Sequence, residues 1–234
     1  MNKAWYRREP ELYKEIWKAV QDAYPELSFI ERDSDVLVAG YYVLFEGSQV
    51  YDRYLLEVEL PTESPMGLPI IREIGGRIPR ETDRHMEADG KACIVLPDAF
   101  WYEHPKGMSL LDFLDGPVRG FFAGQSLIEL GIKDPWPAGQ WGHAHVGTID
   151  FYSGVFGTKD PEVICRYLNL LKRGTIKTRR PCPCGSGIIL QKCHLELINT
   201  LGSRIPRDVA AKSEEGLLKF LAINRAASKI KGDN

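Results

Sequence analysis

The chain has 234 residues, of which 44% are hydrophobic and 26% are charged, and its formal net charge is -2. This composition is typical of a globular protein and excludes a wholly disordered chain. The near-neutral charge gives no overall electrostatic case for binding nucleic acid. No apolar stretch approaches the ~18–20 residues of a membrane span. The N-terminal segment also lacks the apolar core of a signal peptide, so we expect a cytoplasmic protein without membrane attachment.

The first 60 residues predict a helix followed by an antiparallel meander. Apolar residues at helical spacing predict a helix over residues 9–24, which Pro25 ends. Alternating apolar residues then predict strands, with Gly47-Ser48 as a turn. The extended runs are 27–32, 35–46 and 50–60.

The next segment, residues 61–108, is rich in proline and turns, but its apolar content argues against disorder. Ser109 is expected to cap a helix that runs to about Phe122, with an interruption at Gly116-Pro117. A second short helical segment is predicted over residues 125–130.

The C-terminal part begins with a helix over residues 160–173, opened by Asp160-Pro161 as N-cap and first helical residue. A change of composition within 172–194, where a basic run leads into a cysteine cluster, predicts a domain boundary near 174–180. The expected domains are therefore 1–173 and 174–234. The further helices predicted are 195–201 and 213–230.

Four potential metal ligands lie within thirteen residues: Cys182, Cys184, Cys193 and His194. Three cysteines this close together, out of an odd total of five, favour metal binding over disulfides. Thiolate and imidazole ligands suit tetrahedral zinc, and Gly185-Ser186-Gly187 supplies a tight turn. Zinc would also stabilise a segment too short to have its own core.

The letters PCPCGSG and KCH in this cluster closely resemble the SEC-C zinc motif over about 15 residues. The chain departs from the usual pattern where Ile188, Ile189 and Leu190 replace lysines. The resemblance implies structural zinc and an interaction role without chemistry of its own. Nearby basic residues either contact an acidic partner or nucleic acid, or form a solvated linker. They are Lys172, Arg173, Lys177, Arg179 and Arg180.

A lone cysteine, Cys93, follows the turn signal Asp89-Gly90 and precedes a short apolar run. From its neighbours alone it is either an exposed nucleophile or a small core residue. Lys91, two residues before it, either lowers the pKa of the thiol or is simply exposed.

The order of features around Cys93 resembles the ubiquitin-conjugating enzyme family over roughly residues 5–130. The matching positions are Pro65 and Pro69 in a crossover, Gly90 before the cysteine, Trp101 after it, and Ser109-Leu110 at a helix start. The resemblance implies an α+β fold: an N-terminal helix, a four-stranded antiparallel meander and C-terminal helices, followed here by a small zinc-binding module.

One departure from the family concerns its asparagine eight residues before the cysteine, where this chain has His85. Bacterial relatives in anti-phage defence (CBASS-type) operons commonly keep a histidine and lack the asparagine, and the later segment WPAGQWGHAHVG also resembles them. His85 is expected either to support the oxyanion through its N–H or to brace the loop.

The resemblance implies that Cys93 carries an acyl group as a thioester and passes it to a target amine, with His85 and Asp98 as catalytic helpers and Asp89 as a further candidate. The implied carrier is a ubiquitin-like protein or a nucleotidyltransferase cyclase of the CD-NTase type. An activating enzyme and lysines of a target protein would be further partners.

Two other classes of function stay open. The chain is alternatively a noncatalytic adapter that binds a ubiquitin-like protein, or a cysteine hydrolase that uses Cys93 and His85. His143 and His145 would share one face of a strand, as two metal ligands must. No third ligand is spaced near them, which favours loop packing. Cys165, within a predicted helix, is expected to be buried and inert.

Overall fold

The computed structural model describes residues 4–32, 35–63, 65–132, 136, 141–142 and 145–232, with side chains to residue 226. The chain divides into two compact units. The first comprises Met1–Val95 and Gly107–Gln140, and the second comprises Leu96–Lys106 and Trp141–Asn234. The predicted division after residue 173 falls inside the second unit. Among the described residues, no helix is long and apolar enough to cross a membrane.

The first unit is α+β, with a helix leading into a four-stranded antiparallel sheet in the order β1-β2-β3-β4. The helix and the first three strands confirm the sequence prediction to within one or two residues, whereas β4 lies in the segment predicted to be irregular. The elements are α1 (Trp5–Arg8), α2 (Pro10–Ala23), β1 (Leu27–Glu31), β2 (Val36–Glu46), β3 (Gln49–Glu59) and β4 (Ile70–Glu73).

One face of this sheet is built from alternate residues of β2 and β3, because successive side chains of a strand point to opposite faces. Tyr42 pairs with Tyr54 across the two strands, and both are fully buried. The Tyr42 hydroxyl donates to the backbone carbonyl of Leu114 at 2.6 Å. The ring of Tyr54 packs against Phe122 with centroids 4.7 Å apart. These contacts fix the following helices against the sheet.

The first of those helices begins where predicted, since the Ser109 side chain accepts a hydrogen bond from the Asp112 N–H at 3.1 Å. The separate segment predicted over residues 125–130 is wrong, because residues 125–129 continue a helix that begins at Arg119. Helix α4 (Leu110–Phe113) passes through a π-helical turn at Leu114–Val118 into α5 (Arg119–Glu129). The turn contains Pro117, whose missing N–H explains why regular helix is interrupted there.

The second unit is helical, with α3 (Pro97–Glu103), α6 (His145–Phe156), α7 (Pro161–Leu171), α8 (Leu195–Arg204) and α9 (Arg207–Gly232). The Asp160 side chain caps α7 as predicted, by accepting from the Glu162 N–H at 2.8 Å. Buried residues of α6 to α9 form a continuous core that also contains Cys182 and Leu190. The cysteine-rich loop is therefore part of this unit's core.

We predict that Gly40→Ala strongly destabilises the first unit. Gly40 has φ +141°, and an added Cβ would collide with the backbone carbonyl of Glu26. Because neither backbone can move without breaking the β1–β2 pairing, we expect a loss of at least about 2 kcal/mol in the free energy of unfolding. Urea denaturation measures this loss.

Gly120→Ala provides the matched control in the same unit. Gly120 is a helical residue whose added Cβ would meet nothing within 4 Å. The substitution should leave stability unchanged or raise it by about 0.5–1 kcal/mol, since alanine favours helix. Equal effects of the two substitutions would contradict the proposed role of Gly40.

Candidate functional site

Cys93 lies on a short hairpin that extends the sheet beyond β4. Residues Met86 and Ala92 pair as an antiparallel bridge, and the Cys93 N–H donates to the carbonyl of His85 at 2.8 Å. The Ala92 N–H donates to the Ile71 carbonyl of β4 at 2.9 Å. The closing turn contains Gly90 with φ +84°. The backbone around the thiol is therefore held from both sides.

The thiol of Cys93 is exposed, and its Sγ lies 3.9 Å from Oε1 of Glu87. The same carboxylate oxygen binds the Lys91 ammonium at 2.8 Å. Although the side chain reaches the surface, partial desolvation raises the pKa of the Cys93 thiol. The Glu87 carboxylate raises this pKa further, and Lys91 opposes the effect. Lys91 therefore lowers the pKa of Cys93, but by less than burial and Glu87 raise it.

His85 is buried and has a left-handed backbone conformation, with φ +51°. Among the described residues no other non-glycine has a positive φ. Its carbonyl accepts from Cys93, and its ring packs edge-on against Trp136 with centroids 6.1 Å apart. His85 is thus held in the loop by a backbone hydrogen bond and by a contact of its ring.

The two aspartates singled out by sequence lie in different surroundings. Asp89, on the hairpin turn, is exposed and accepts from the Lys91 N–H at 3.1 Å, and this hydrogen bond lowers the pKa of Asp89. Asp98 is buried in the second unit, where the Tyr152 hydroxyl donates to Oδ1 at 2.6 Å and the Ser213 hydroxyl donates to Oδ2 at 2.5 Å. Burial raises the pKa of Asp98. Its carboxylate thus links α3, α6 and α9.

The predicted metal ligands come together. The Sγ or Nδ1 atoms of Cys182, Cys184, Cys193 and His194 all lie within 4.8 Å of one another. Nδ1 of His194 is 3.2 Å from Sγ of Cys182 and 3.1 Å from Sγ of Cys193, and the sulfurs of Cys184 and Cys193 are 3.6 Å apart. The four side chains are therefore close enough together to hold a metal ion.

A short hairpin and a helix start position these ligands. The Cys182 N–H donates to the Ile188 carbonyl at 2.8 Å, and Gly185 and Gly187 adopt positive φ angles of +81° and +75° in the turn. His194 is the N-cap residue of α8.

Two hydroxyls approach the sulfurs from outside. Ser186 Oγ lies 3.2 Å from Sγ of Cys184, and this hydrogen bond lowers the pKa of Cys184 to about 6. The hydroxyl of Tyr167, on α7, lies 3.5 Å from Sγ of Cys182. Both can donate to thiolates, as groups around metal sites commonly do.

The other histidines and cysteines singled out by sequence are not part of this cluster where the structure describes them. His145 begins helix α6 and is therefore in neither a strand nor a loop, and its ring stacks on that of Phe220 with centroids 3.9 Å apart. His143 lies outside the described residues. Cys165 is buried as predicted, and burial raises the pKa of its thiol to about 11. Sequence reasoning missed Glu87, although the Asp89-Gly90 turn predicts a hairpin that returns the chain past it.

The chain was compared with protein-family models, with curated proteins and with solved structures, and none of these comparisons gave a match. Its function is therefore inferred from its own residues.

We predict that Glu87 and Lys91 shift the pKa of Cys93 in opposite directions. Glu87→Gln removes a negative charge near the thiolate and frees Lys91, so the midpoint of the pH–rate profile for alkylation by iodoacetamide should fall by roughly 0.5 to 1 pH unit. Lys91→Met should raise it. Intact mass spectrometry follows the modification at each pH.

The alkylation is measured in the presence of added zinc, which is meant to protect the thiols of Cys182, Cys184 and Cys193 so that only Cys93 reacts. A Glu57→Gln variant, which alters a half-buried carboxylate of β3, controls for a general change of charge. Movement of the midpoint in the same direction for Glu87→Gln and Lys91→Met would show that the pair does not act as described.

Proposed function

We propose that this protein is a ubiquitin-conjugating-like cysteine acyltransferase. In this proposal Cys93 accepts the C-terminal acyl group of a carrier protein as a thioester and transfers it to a target amine. The observation that carries the proposal is the exposed thiol of Cys93 on a hairpin whose backbone is hydrogen-bonded at Ala92 and at Cys93 itself. An accessible but rigidly placed nucleophile is what transfer between large protein substrates requires.

The order of elements supports the same proposal. Helix α2, the four-stranded meander, the cysteine hairpin and a helix capped by Ser109 follow one another along the chain. This is the order expected of a ubiquitin-conjugating-like fold. The carrier we propose has a conjugatable C-terminus, as a ubiquitin-like protein or a CD-NTase-type cyclase would supply. The setting in bacterial antiviral defence stays a prediction.

The proposed transfer has two steps. The Cys93 thiol loses its proton, and the thiolate attacks the carbonyl carbon of the incoming thioester and expels the donor's thiolate. A target amine then attacks the Cys93 thioester, loses a proton and expels the Cys93 thiolate. The buried Asp98 is left out of this scheme because both of its oxygens are engaged within the second unit.

Glu87 is the residue we propose to hold the target amine. Its carboxylate already binds a lysine ammonium, that of Lys91 at 2.8 Å, while standing 3.9 Å from the Cys93 sulfur. A target lysine that displaced Lys91 would therefore bring its nitrogen next to the thioester. His85 would position the loop through its carbonyl, and a role for its imidazole stays a prediction.

We propose further that the Cys/His cluster binds structural zinc. Three thiolates and one imidazole in a tetrahedral arrangement suit zinc better than magnesium or calcium, which take oxygen ligands. With all four positions filled by protein, such a site would stabilise the loop and leave no position for a substrate.

We predict that Cys93→Ser traps the carrier. A serine oxyester is more stable than the corresponding thioester, so the variant should accumulate a covalent adduct when it is expressed together with the genes that flank its own. Nonreducing gels and intact mass would show a band that resists thiol reductants but is cleaved by hydroxide. Peptide mapping would identify both the carrier and the modified residue.

The matched control is Cys165→Ala, which removes a buried thiol and should leave a reducible wild-type adduct. Release of free carrier C-terminus without transfer to amines would favour the cysteine hydrolase. If wild type and Cys93→Ser never carry an adduct and behave alike in cells, the noncatalytic adapter would replace the proposed enzyme.

We predict that one zinc ion binds per chain and that Cys193→Ala removes it. Chelation should lower the melting temperature, because the loop that holds the ligands is part of the core of the second unit. Metal analysis measures the content, and cobalt substitution reports tetrahedral thiolate coordination by absorption. Cys165→Ala should keep its full zinc content, and undiminished zinc in Cys193→Ala would contradict the assignment.

A further inference from the structure

We propose that the second unit binds single-stranded nucleic acid through a basic surface beside the metal loop, which is the cysteine-rich segment of residues 180–194. This basic surface consists of two adjacent hollows that share Arg173. One has a volume of about 210 Å³ and includes Lys177 and Arg180. The other has a volume of about 300 Å³ and includes Arg207. No acidic residue lines either hollow.

The cations of the basic surface have no carboxylate partner among the described residues. Arg173, Lys177, Arg180 and Arg207 are all exposed. The guanidinium of Arg207 lies against Gly174, so close that an added Cβ there would be 2.8 Å from Nη1. Like charges are thus gathered without counterions in a chain whose net charge is -2. An anion is the ligand that this arrangement favours, and guanidinium groups bind phosphate oxygens in a bidentate manner.

Some arginines elsewhere in the described chain are paired with acids. Arg32, Arg72, Arg77, Arg80 and Arg225 each form an ion pair with a carboxylate. Lys172, next to Arg173, is likewise paired with Glu214. The two hollows differ from these sites because no acidic residue lines them.

The lining of the hollows favours a single strand over a duplex. Apolar side chains line each hollow beside the cations, together with the polar residues Thr175 in one hollow and Asn199 and Ser203 in the other. A single strand offers phosphates to the cations and the flat faces of its bases to the apolar side chains, whereas a duplex hides those faces. Carboxylates of an acidic peptide would also meet the cations but would leave the apolar side chains uncovered. The apolar lining residues are Leu170, Pro181, Pro183 and Leu190 in one hollow and Leu171, Ile176 and Ile198 in the other.

The metal loop forms one wall of the surface. Arg180 accepts a hydrogen bond from the Leu190 N–H at its carbonyl, 2.8 Å away, and Pro181 pairs with Ile189 across the same hairpin. Because Cys182 and Cys184 immediately follow these residues, a bound metal would fix this wall. Removing the metal should therefore weaken binding to the basic surface.

The test measures fluorescence anisotropy of a labelled 20-nucleotide poly(dT) strand with the zinc-loaded full chain. The unlabelled competitors are an arbitrary duplex of equal length and polyglutamate. We expect the strand to bind more tightly than either. With four phosphate contacts, raising salt from 50 to 200 mM should weaken binding about 50-fold, and each cation removed should reduce the slope by about 0.7.

The variant Arg173→Ala/Arg207→Ala should weaken binding at 50 mM salt by at least about tenfold. Lys18→Ala/Lys106→Ala makes the same change of charge at exposed lysines elsewhere and should bind as the wild type does. Unchanged melting temperatures show that the variants are folded. Zinc chelation should also weaken binding, and restored zinc should recover it.

Several results would overturn the proposal. These are no binding of the strand at 50 mM salt, equal or tighter binding of the duplex, equal or tighter binding of polyglutamate, or equal effects of the two double variants. Tight polyglutamate binding would instead indicate an acidic protein partner. All readouts are independent of Cys93, so they stand or fall separately from the proposed acyl transfer.

Discussion

The antiparallel pairing that continues past β4 is the constraint on which the surroundings of Cys93 depend. A two-stranded hairpin of this length would be marginal alone, but Ala92 and Gly90 bond it to the backbone of β4. The turn requires glycine at position 90, because an added Cβ would approach the Glu73 carbonyl oxygen to 2.8 Å. The position of the thiol therefore depends on both the edge of the sheet and the left-handed turn at Gly90.

The cysteine-rich loop of the second unit is stabilised in a different way from the Cys93 hairpin. It too is a short hairpin with glycines at positive φ, and in the described part of the chain no sheet strand pairs with it. Its stability comes from burial of Cys182 and Leu190 among the helices and, in our proposal, from the ion that its ligands hold. The hairpin of Cys93 is hydrogen-bonded to the sheet and leaves its thiol exposed. The cysteine-rich hairpin instead brings its thiols close together, where they could hold a metal ion. The single thiol of Cys93 is therefore accessible from solvent, whereas the clustered cysteines are placed to bind a metal ion.

The features that could be predicted from sequence are those with a local cause. Alternation predicts β1 to β3, and Ser109 and Asp160 mark helix starts because each side chain accepts a hydrogen bond from the first turn. The metal ligands are close in sequence, so their spacing alone predicted that they cluster.

The features that could not be predicted have causes elsewhere in the fold. Helix α6 buries Thr148, Phe151 and Tyr152 on one face, but its exposed face carries Val146 and Gly154 beside Asp150, so its sequence shows no polar stripe. Strand β4 has four residues and exists because β3 offers it an edge. Asp98 lies close to Cys93 along the chain, but its hydrogen-bond partners Tyr152 and Ser213 come from α6 and α9, far along the sequence.

The raised pKa of Cys93 is consistent with a thiol that holds an acyl group. A more basic thiol is present as thiolate in smaller amount at neutral pH, but its thiolate is more nucleophilic and it is the poorer leaving group. An acyl group would therefore move toward Cys93 from a less basic donor thiol and would hydrolyse slowly there. A target lysine bound to Glu87 would then take the place of Lys91 beside the Cys93 sulfur, so the positive charge next to the sulfur would be kept. In this scheme orientation of the amine, rather than activation of the thiol, provides the specificity of transfer.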